Sequence, residues 1–152
     1  MRSLLVVVSV HQGNTLKVAE RMAQELEARL VTPEEIVPED IAEYDLLGIG
    51  SGIFFGKFHR RLLQFVERLP RQEGKKVFVF STSGLGQKAY NEFLEASLRK
   101  RGFQVVGSFA CRGYDTFSVL KLFGGINRGR PNEEDLRTCA LFAAQLKKEC
   151  KQ

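Results

Sequence analysis

Three short stretches of the chain gather small polar residues and glycines in a pattern suited to holding a ligand: Ser9-Val10-His11-Gln12-Gly13-Asn14-Thr15, Gly50-Ser51-Gly52-Ile53-Phe54-Phe55-Gly56 and Ser81-Thr82-Ser83-Gly84-Leu85-Gly86. The first joins an apolar run directly to a helical pattern. Such a junction leaves backbone N–H groups at the helix N-terminus, where the helix dipole favours an anion. Gly13 lets the backbone approach closely, and Ser9, Asn14 and Thr15 can hydrogen-bond phosphate oxygens. An ordinary turn capped by Asn14 is the competing reading of the same residues. The stretch has neither the lysine of a P-loop nor a G-x-G-x-x-G pattern, so an NTPase or a dinucleotide-binding domain loses support.

The elements that must carry these loops alternate in kind. Leu4, Leu5, Val6, Val7, Val8 and Val10 lie within residues 3–10 with almost no alternation, as a strand covered on both faces requires. Residues 15–29 read as a helix, with Leu16, Ala19, Met22, Ala23 and Leu26 at helical spacing. Further strands are predicted at 29–32, 44–50, 77–80 and 103–109. Helices are predicted at 57–69, with Phe58, Leu62, Phe65, Val66 and Leu69 on one face, and at 87–101, stopping before Gly102. An irregular stretch, 111–131, precedes a last helix that starts at the N-cap Asn132 and runs to Lys148. Glu133, Glu134 and Asp135 favour its positive end. The pattern predicts an α/β fold of 152 residues in a single domain: a doubly wound, five-stranded parallel sheet of order 2-1-3-4-5 with helices on both faces. Strands 1, 3 and 4 are then neighbours, and their loops converge beyond the carboxyl ends of the sheet.

With their order and spacing, the loops SVHQGNT, GSGIFFGKF and STSGLG resemble the flavodoxin family over essentially the full chain. The segment CRGYDTFSVLKLFGGINRGRPNEEDL is similar to a recurring segment of single-domain members. The resemblance implies a flavodoxin-like fold, non-covalent FMN and electron transfer. It places the FMN phosphate on Ser9, His11, Gln12, Gly13, Asn14 and Thr15. Val10 stands where the family usually has Ser or Thr, and His11 and Gln12 stand where small hydroxyl residues are usual. Ser51, Gly52, Ile53, Phe54, Phe55 and Gly56 would supply backbone donors and a stacking face for the isoalloxazine, with Phe54 or Phe55 as the stacker. Thr82, Ser83, Gly84, Leu85 and Gly86 would read its pyrimidine edge. Gly113, Tyr114 and Asp115 would emerge near the rim of the same site, beside Cys111 and Arg112. The chain has no Trp, and Tyr90 lies beyond the third loop, so an aromatic partner from that side is not expected.

This points to an FMN-binding electron carrier between redox protein partners. The alternatives are an FMN-dependent NAD(P)H or quinone reductase, or a flavodoxin-like oxidase of the protoporphyrinogen type. No second nucleotide-binding motif and no evident general acid or base supports either enzyme. A receiver-like module needs acidic residues where Ser9, Val10, Ser51 and Gly52 stand.

Composition narrows the field further. The net charge is +5, whereas familiar flavodoxins are acidic. A basic member should hold a less negative potential for the fully reduced flavin and meet acidic partner surfaces. Cations such as Arg60, Arg61, Lys75, Lys76, Arg99, Lys100 and Arg101 are dispersed, without a zinc-finger, RNP or helix-turn-helix pattern, and read as a solvated surface with no nucleic-acid role. Cys111, Cys139 and Cys150 are far apart, and only His11 and His59 could join them, so neither a metal site nor a disulfide is expected. The opening MRSLLVVVSV is Val-rich and has no small-residue cleavage site, so it reads as a first strand and the protein as cytoplasmic with no membrane span.

Overall fold

In the computed structural model, residues 1–10, 13–113 and 129–151 are described. Strand β1 (Ser3–Val8) is buried along its whole length. It pairs in parallel with β2 (Arg29–Val31) on one side and β3 (Leu46–Phe54) on the other. Strand β4 (Lys57–Phe58) folds back on β3 as an antiparallel hairpin. Parallel strands β5 (Lys76–Ser83) and β6 (Gln104–Arg112) complete the order β2-β1-β3-β5-β6. This is the expected 2-1-3-4-5 winding with one short strand added.

Helices α1 (Asn14–Leu26) and α4 (Glu133–Cys150) cover one face of the sheet, and α2 (Arg60–Glu67) and α3 (Glu92–Lys100) cover the other. Leu4, Val6, Val8, Leu47, Ile49, Val77 and Val79 meet Leu62, Phe65, Leu94 and Leu98 on the α2/α3 face. Leu5, Val7, Phe78, Phe80 and Phe109 meet Val18, Ala19, Met22, Cys139 and Ala143 on the α1/α4 face. The second face requires glycine. Gly48 and Gly50 of β3 lie opposite Phe78 and Phe80 of β5. A Cβ at Gly48 would stand 2.5 Å from the Phe78 ring, and one at Gly50 would stand 2.4 Å from the Phe80 ring. Alanine at either place would overlap a ring, so the glycines of β3 make room for the phenylalanines of β5.

Several boundaries differ from the sequence expectation. Helix α1 ends at Leu26, where Glu27 takes a left-handed conformation at φ 54°. Its buried stripe is Thr15, Val18, Ala19, Met22 and Leu26, and Leu16 is exposed. Strand β3 runs on through Ser51–Phe54 and β5 through Ser83, so most of the second expected loop and half of the third are strand. Residues 57–58 belong to the hairpin, and α2 starts at Arg60. A 3-10 turn at Lys88–Asn91 precedes α3. The Asn132 cap is present, with its side chain accepting from the Asp135 N–H at 2.9 Å.

Because helices run antiparallel to the strands, their C-termini gather at the amino edge of the sheet. Each meets a cation there. Lys147 Nζ donates to Glu25 O at 3.4 Å on α1, and Arg71 Nη1 to Lys100 O at 3.0 Å on α3. Arg101 donates from Nε to Val66 O at 3.0 Å and from Nη2 to Glu67 O at 3.3 Å on α2. Lys76 Nζ donates to Cys150 O at 3.4 Å on α4. Carbonyls at a helix C-terminus have no intrahelical donor and sit at the negative end of the dipole, so a cation satisfies both.

Candidate functional site

The carboxyl edge is built differently. The direction of winding reverses between β1 and β3, one connection leading to β2 and the other toward β5, and such a switch point leaves a crevice. The loops after β1, β3 and β5 meet there. Gly13 stands at the N-cap of α1 with φ 71°, and no side chain caps the helix from that position. Asn14 is the first helical residue, so the reading of Asn14 as the cap does not hold. Ser9 reaches across instead, its Oγ accepting from Leu16 N–H at 3.0 Å. Nothing among the described residues lies within 4 Å of a Cβ built at Gly13.

Thr15 ties two loops together. Its hydroxyl is buried and hydrogen-bonds Thr82 Oγ1 of β5 at 2.8 Å. Gly52 completes the junction: a Cβ there would stand 3.8 Å from Thr15 Oγ1 and 3.4 Å from the Phe54 ring. Ser51 faces inward and is fully buried; its Oγ donates to Gly52 O at 2.7 Å and accepts from His59 N–H at 3.0 Å. Beyond Phe54, Phe55 and Gly56 both have positive φ, at 52° and 77°. Two successive left-handed residues make the tight turn that joins β3 to β4. This turn thrusts Phe55 outward, 84% exposed, whereas Ile53 and Phe54 are half-buried. Phe54 meets the edge of the His59 ring at a centroid distance of 5.4 Å.

In the third loop, Ser83 Oγ accepts from Gly86 N–H at 2.7 Å, which closes a tight turn over Gly84 and Leu85. Leu85 is 58% exposed. A fourth element joins from β6: Gly113 N–H donates to Ser83 O at 3.0 Å. A Cβ at Gly113 would stand 2.6 Å from Asn14 Nδ2, so only glycine lets β6 approach the start of α1 this closely. Ser9, Gly13, Asn14 and Thr15 are thereby brought together with Ser51–Gly56, Thr82–Gly86 and Gly113. His11, Gln12, Tyr114 and Asp115, expected at the same site, lie outside the described residues.

Two supporting residues escaped the sequence reading. His59 accepts the Arg61 N–H on Nδ1 at 3.0 Å and so caps α2, while its own N–H fixes Ser51. Asn91 is fully buried beneath the third loop. It accepts from Ser81 Oγ at 2.7 Å and donates to Ser108 Oγ at 2.9 Å and Phe109 O at 3.0 Å. A polar residue placed just before a helical stripe was the available signal in both cases.

The thiols near the site are not reactive groups. Burial, then the neighbouring Asp135 and Cys139, push Cys111 up to about 12, and burial does the same for Cys139. Both remain protonated at neutral pH. Asp135 pairs with Arg130 through Nη2 and Oδ1 at 2.6 Å. Burial opposes its ionisation, but the bonds from Arg130 and Asn132 and the nearby Arg112 hold it below the usual aspartate range. No group of three or more metal-ligating side chains occurs among the described residues, and no described helix is long and apolar enough to cross a membrane.

Sheet order, switch-point crevice and converging loops define a class, the doubly wound flavodoxin-like fold. A family described as flavodoxin domain matches residues 5–121. A protein of Methanocaldococcus jannaschii, itself uncharacterized, is 38% identical over 150 residues, covering 97% of this chain and 99% of that one. Among solved structures, a flavodoxin from the domain Archaea superposes with a TM-score of 0.74 at 17% identity, covering 100% of both chains. Flavodoxin 1 of Bacillus cereus superposes with a TM-score of 0.68 at 18% identity, over 97% of this chain and 98% of that one. The chain belongs to the flavodoxin family.

Proposed function

We propose that this chain, as one domain, binds FMN non-covalently at the carboxyl edge of its sheet and carries electrons between protein partners. The carrying observation is the pairing of two features on neighbouring loops. One is the helix N-terminus at Gly13, where the residue at the cap position brings no side chain and Ser9 Oγ accepts from Leu16 N–H. The other is the pair of exposed apolar residues, Phe55 and Leu85, on the loops after β3 and β5. A ligand with an anionic end and a flat apolar end suits both.

The residues present fit FMN. The first turn of α1, with Ser9 and Asn14, would hold the phosphate. Phe55 and Leu85 would cover the ring faces, and the Gly84–Gly86 backbone would meet the polar edge. The flavin, when bound, supplies the redox chemistry. The chain supplies the rest: Thr15 and Thr82 fix the distance between the first and third loops, Ser51 and His59 fix the hairpin, and Asn91 holds the third loop from below.

An absorption titration of the purified protein with FMN tests this reading, followed by stepwise reduction. Flavin bands that shift on binding, and two separable one-electron steps, are the expected result. No binding overturns the proposal. Binding with a single two-electron step, together with turnover of NAD(P)H and a quinone, would replace the carrier with a reductase.

A further inference from the structure

We propose that the carboxyl edge is a docking surface for an acidic electron-transfer protein, with Lys17, Lys57, Arg60 and Lys88 meeting its carboxylates and Leu85 and Phe93 its apolar centre. The proposal rests on the flavin reading above and names the partner class for that site. Its first support is the distribution of charge. The stretches 9–17, 51–60 and 81–91 contain four cations, Lys17, Lys57, Arg60 and Lys88, and not one Asp or Glu. All four are exposed, and none forms an ion pair among the described residues. Four cations of the amino edge, Arg71, Lys76, Arg101 and Lys147, by contrast donate to helix C-terminal carbonyls.

Among the described residues, the carboxylates at the starts of α3 and α4 do not reverse this sign. Glu92 and Glu95, in the first turn of α3, are two charges against four. At the start of α4, Glu133 pairs with Arg21 at 3.5 Å and Asp135 pairs with Arg130, leaving Glu134 and the exposed Arg112 of β6 to offset one another.

The second support is apolar exposure in the same region. Leu85 is 58% exposed and Phe93, in the first turn of α3, is 75% exposed. Exposed large apolar side chains among polar and charged ones are the usual composition of a protein-docking patch. Opposite charge on the partner would steer encounter and orient it before the apolar contacts close. In the transfer itself, one electron leaves the partner's reduced centre and enters the bound flavin, and no bond forms between the proteins.

The test uses the full chain and two probes of opposite charge, an acidic ferredoxin and a basic cytochrome c. Fluorescence anisotropy of each labelled probe measures docking, and stopped-flow oxidation of the reduced ferredoxin measures electron transfer to the FMN-loaded protein. The wild type should bind the ferredoxin more tightly than the cytochrome, and affinity and rate should fall about tenfold as salt rises from about 20 to about 300 mM. The triple variant K57E/R60E/K88E should lose at least about tenfold in ferredoxin affinity at low salt and gain affinity for the cytochrome. Phe93→Ser should weaken docking about threefold at every salt concentration. Lys17→Glu, on a separate element, repeats the charge test should the triple variant prove unstable in a thermal melt. Salt-independent docking, or charge reversal without effect, overturns the proposal. Failure of the flavin reading is seen separately in the absorption spectrum, and anisotropy on the flavin-free chain still decides the docking surface.

Discussion

The two edges of this sheet use the same residue types for opposite ends. At the amino edge, Arg71, Lys76, Arg101 and Lys147 each donate to a carbonyl at the end of a helix. At the carboxyl edge, Lys17, Lys57, Arg60 and Lys88 stand exposed around loops of glycine and hydroxyl residues. The difference follows from chain direction. Helices antiparallel to the strands present C-terminal carbonyls at one edge and N-terminal N–H groups at the other. Cations complete the first edge, while helix N-termini at the second favour an anion. A basic chain can therefore place stability at one edge and recognition at the other.

Substitutions can separate the two roles. The largest effect is expected where the sheet interior meets the site. Gly50→Ala puts a methyl group 2.4 Å from the Phe80 ring, directly before Ser51. Overpacking of this kind costs roughly 1–3 kcal/mol, read as a lower urea midpoint, and should also weaken FMN binding by shifting β3. Next is Thr82→Val at the carboxyl edge, which removes the partner of the buried Thr15 hydroxyl. Leaving that group unpaired costs about 1–2 kcal/mol, and the loosened loops should lower FMN affinity severalfold in an absorption titration.

The amino edge should respond in stability alone. Arg101→Met leaves Val66 O and Glu67 O without their cation. The expected loss is about 1 kcal/mol in chemical denaturation, with an unchanged FMN dissociation constant. A change in affinity would break the division between the edges. The smallest effect belongs to Glu34 and Arg61 on the flank. The hydrogen bond from Arg61 lowers Glu34 from 4.5 to about 2. Ionised Glu34 thus favours the folded state, so its contribution is fully present above about pH 4.5 and is lost as pH falls through 2. Both side chains are substantially exposed, at 43% and 55%, so solvent limits the contribution. Glu34→Gln should cost under about 0.5 kcal/mol at pH 7, and nothing well below pH 2.

Much of the fold was legible because its signals are local. The unbroken aliphatic run of β1 announces burial on both faces, and the stripe Leu62, Phe65 and Val66 marks the inner side of α2. Asn132, followed by three acidic residues, announces the start of α4. The three loops were legible for the same reason, since strand ends and helix starts bracket each one. Within them, side-chain roles were less so. Thr15 was read as a hydroxyl open to a ligand, yet it is buried against Thr82, 67 residues away in sequence. Leu16 was read as core, yet it is exposed, because packing against the sheet rotates the buried stripe of α1 onto Thr15 and Val18. The hairpin at Phe55–Gly56 was hidden because phenylalanine rarely takes a positive φ.

The sequence by itself determined the order of the main strands and helices, their winding, and the edge at which the three loops gather, because hydrophobic period and capping act over a few residues. Only the tertiary structure decided which hydroxyls turn inward, which phenylalanine stands in solvent, and why β3 needs glycine at 48 and 50. Those outcomes depend on the register between strands far apart in the chain. One residue of slip would turn every side chain of a strand to the opposite face.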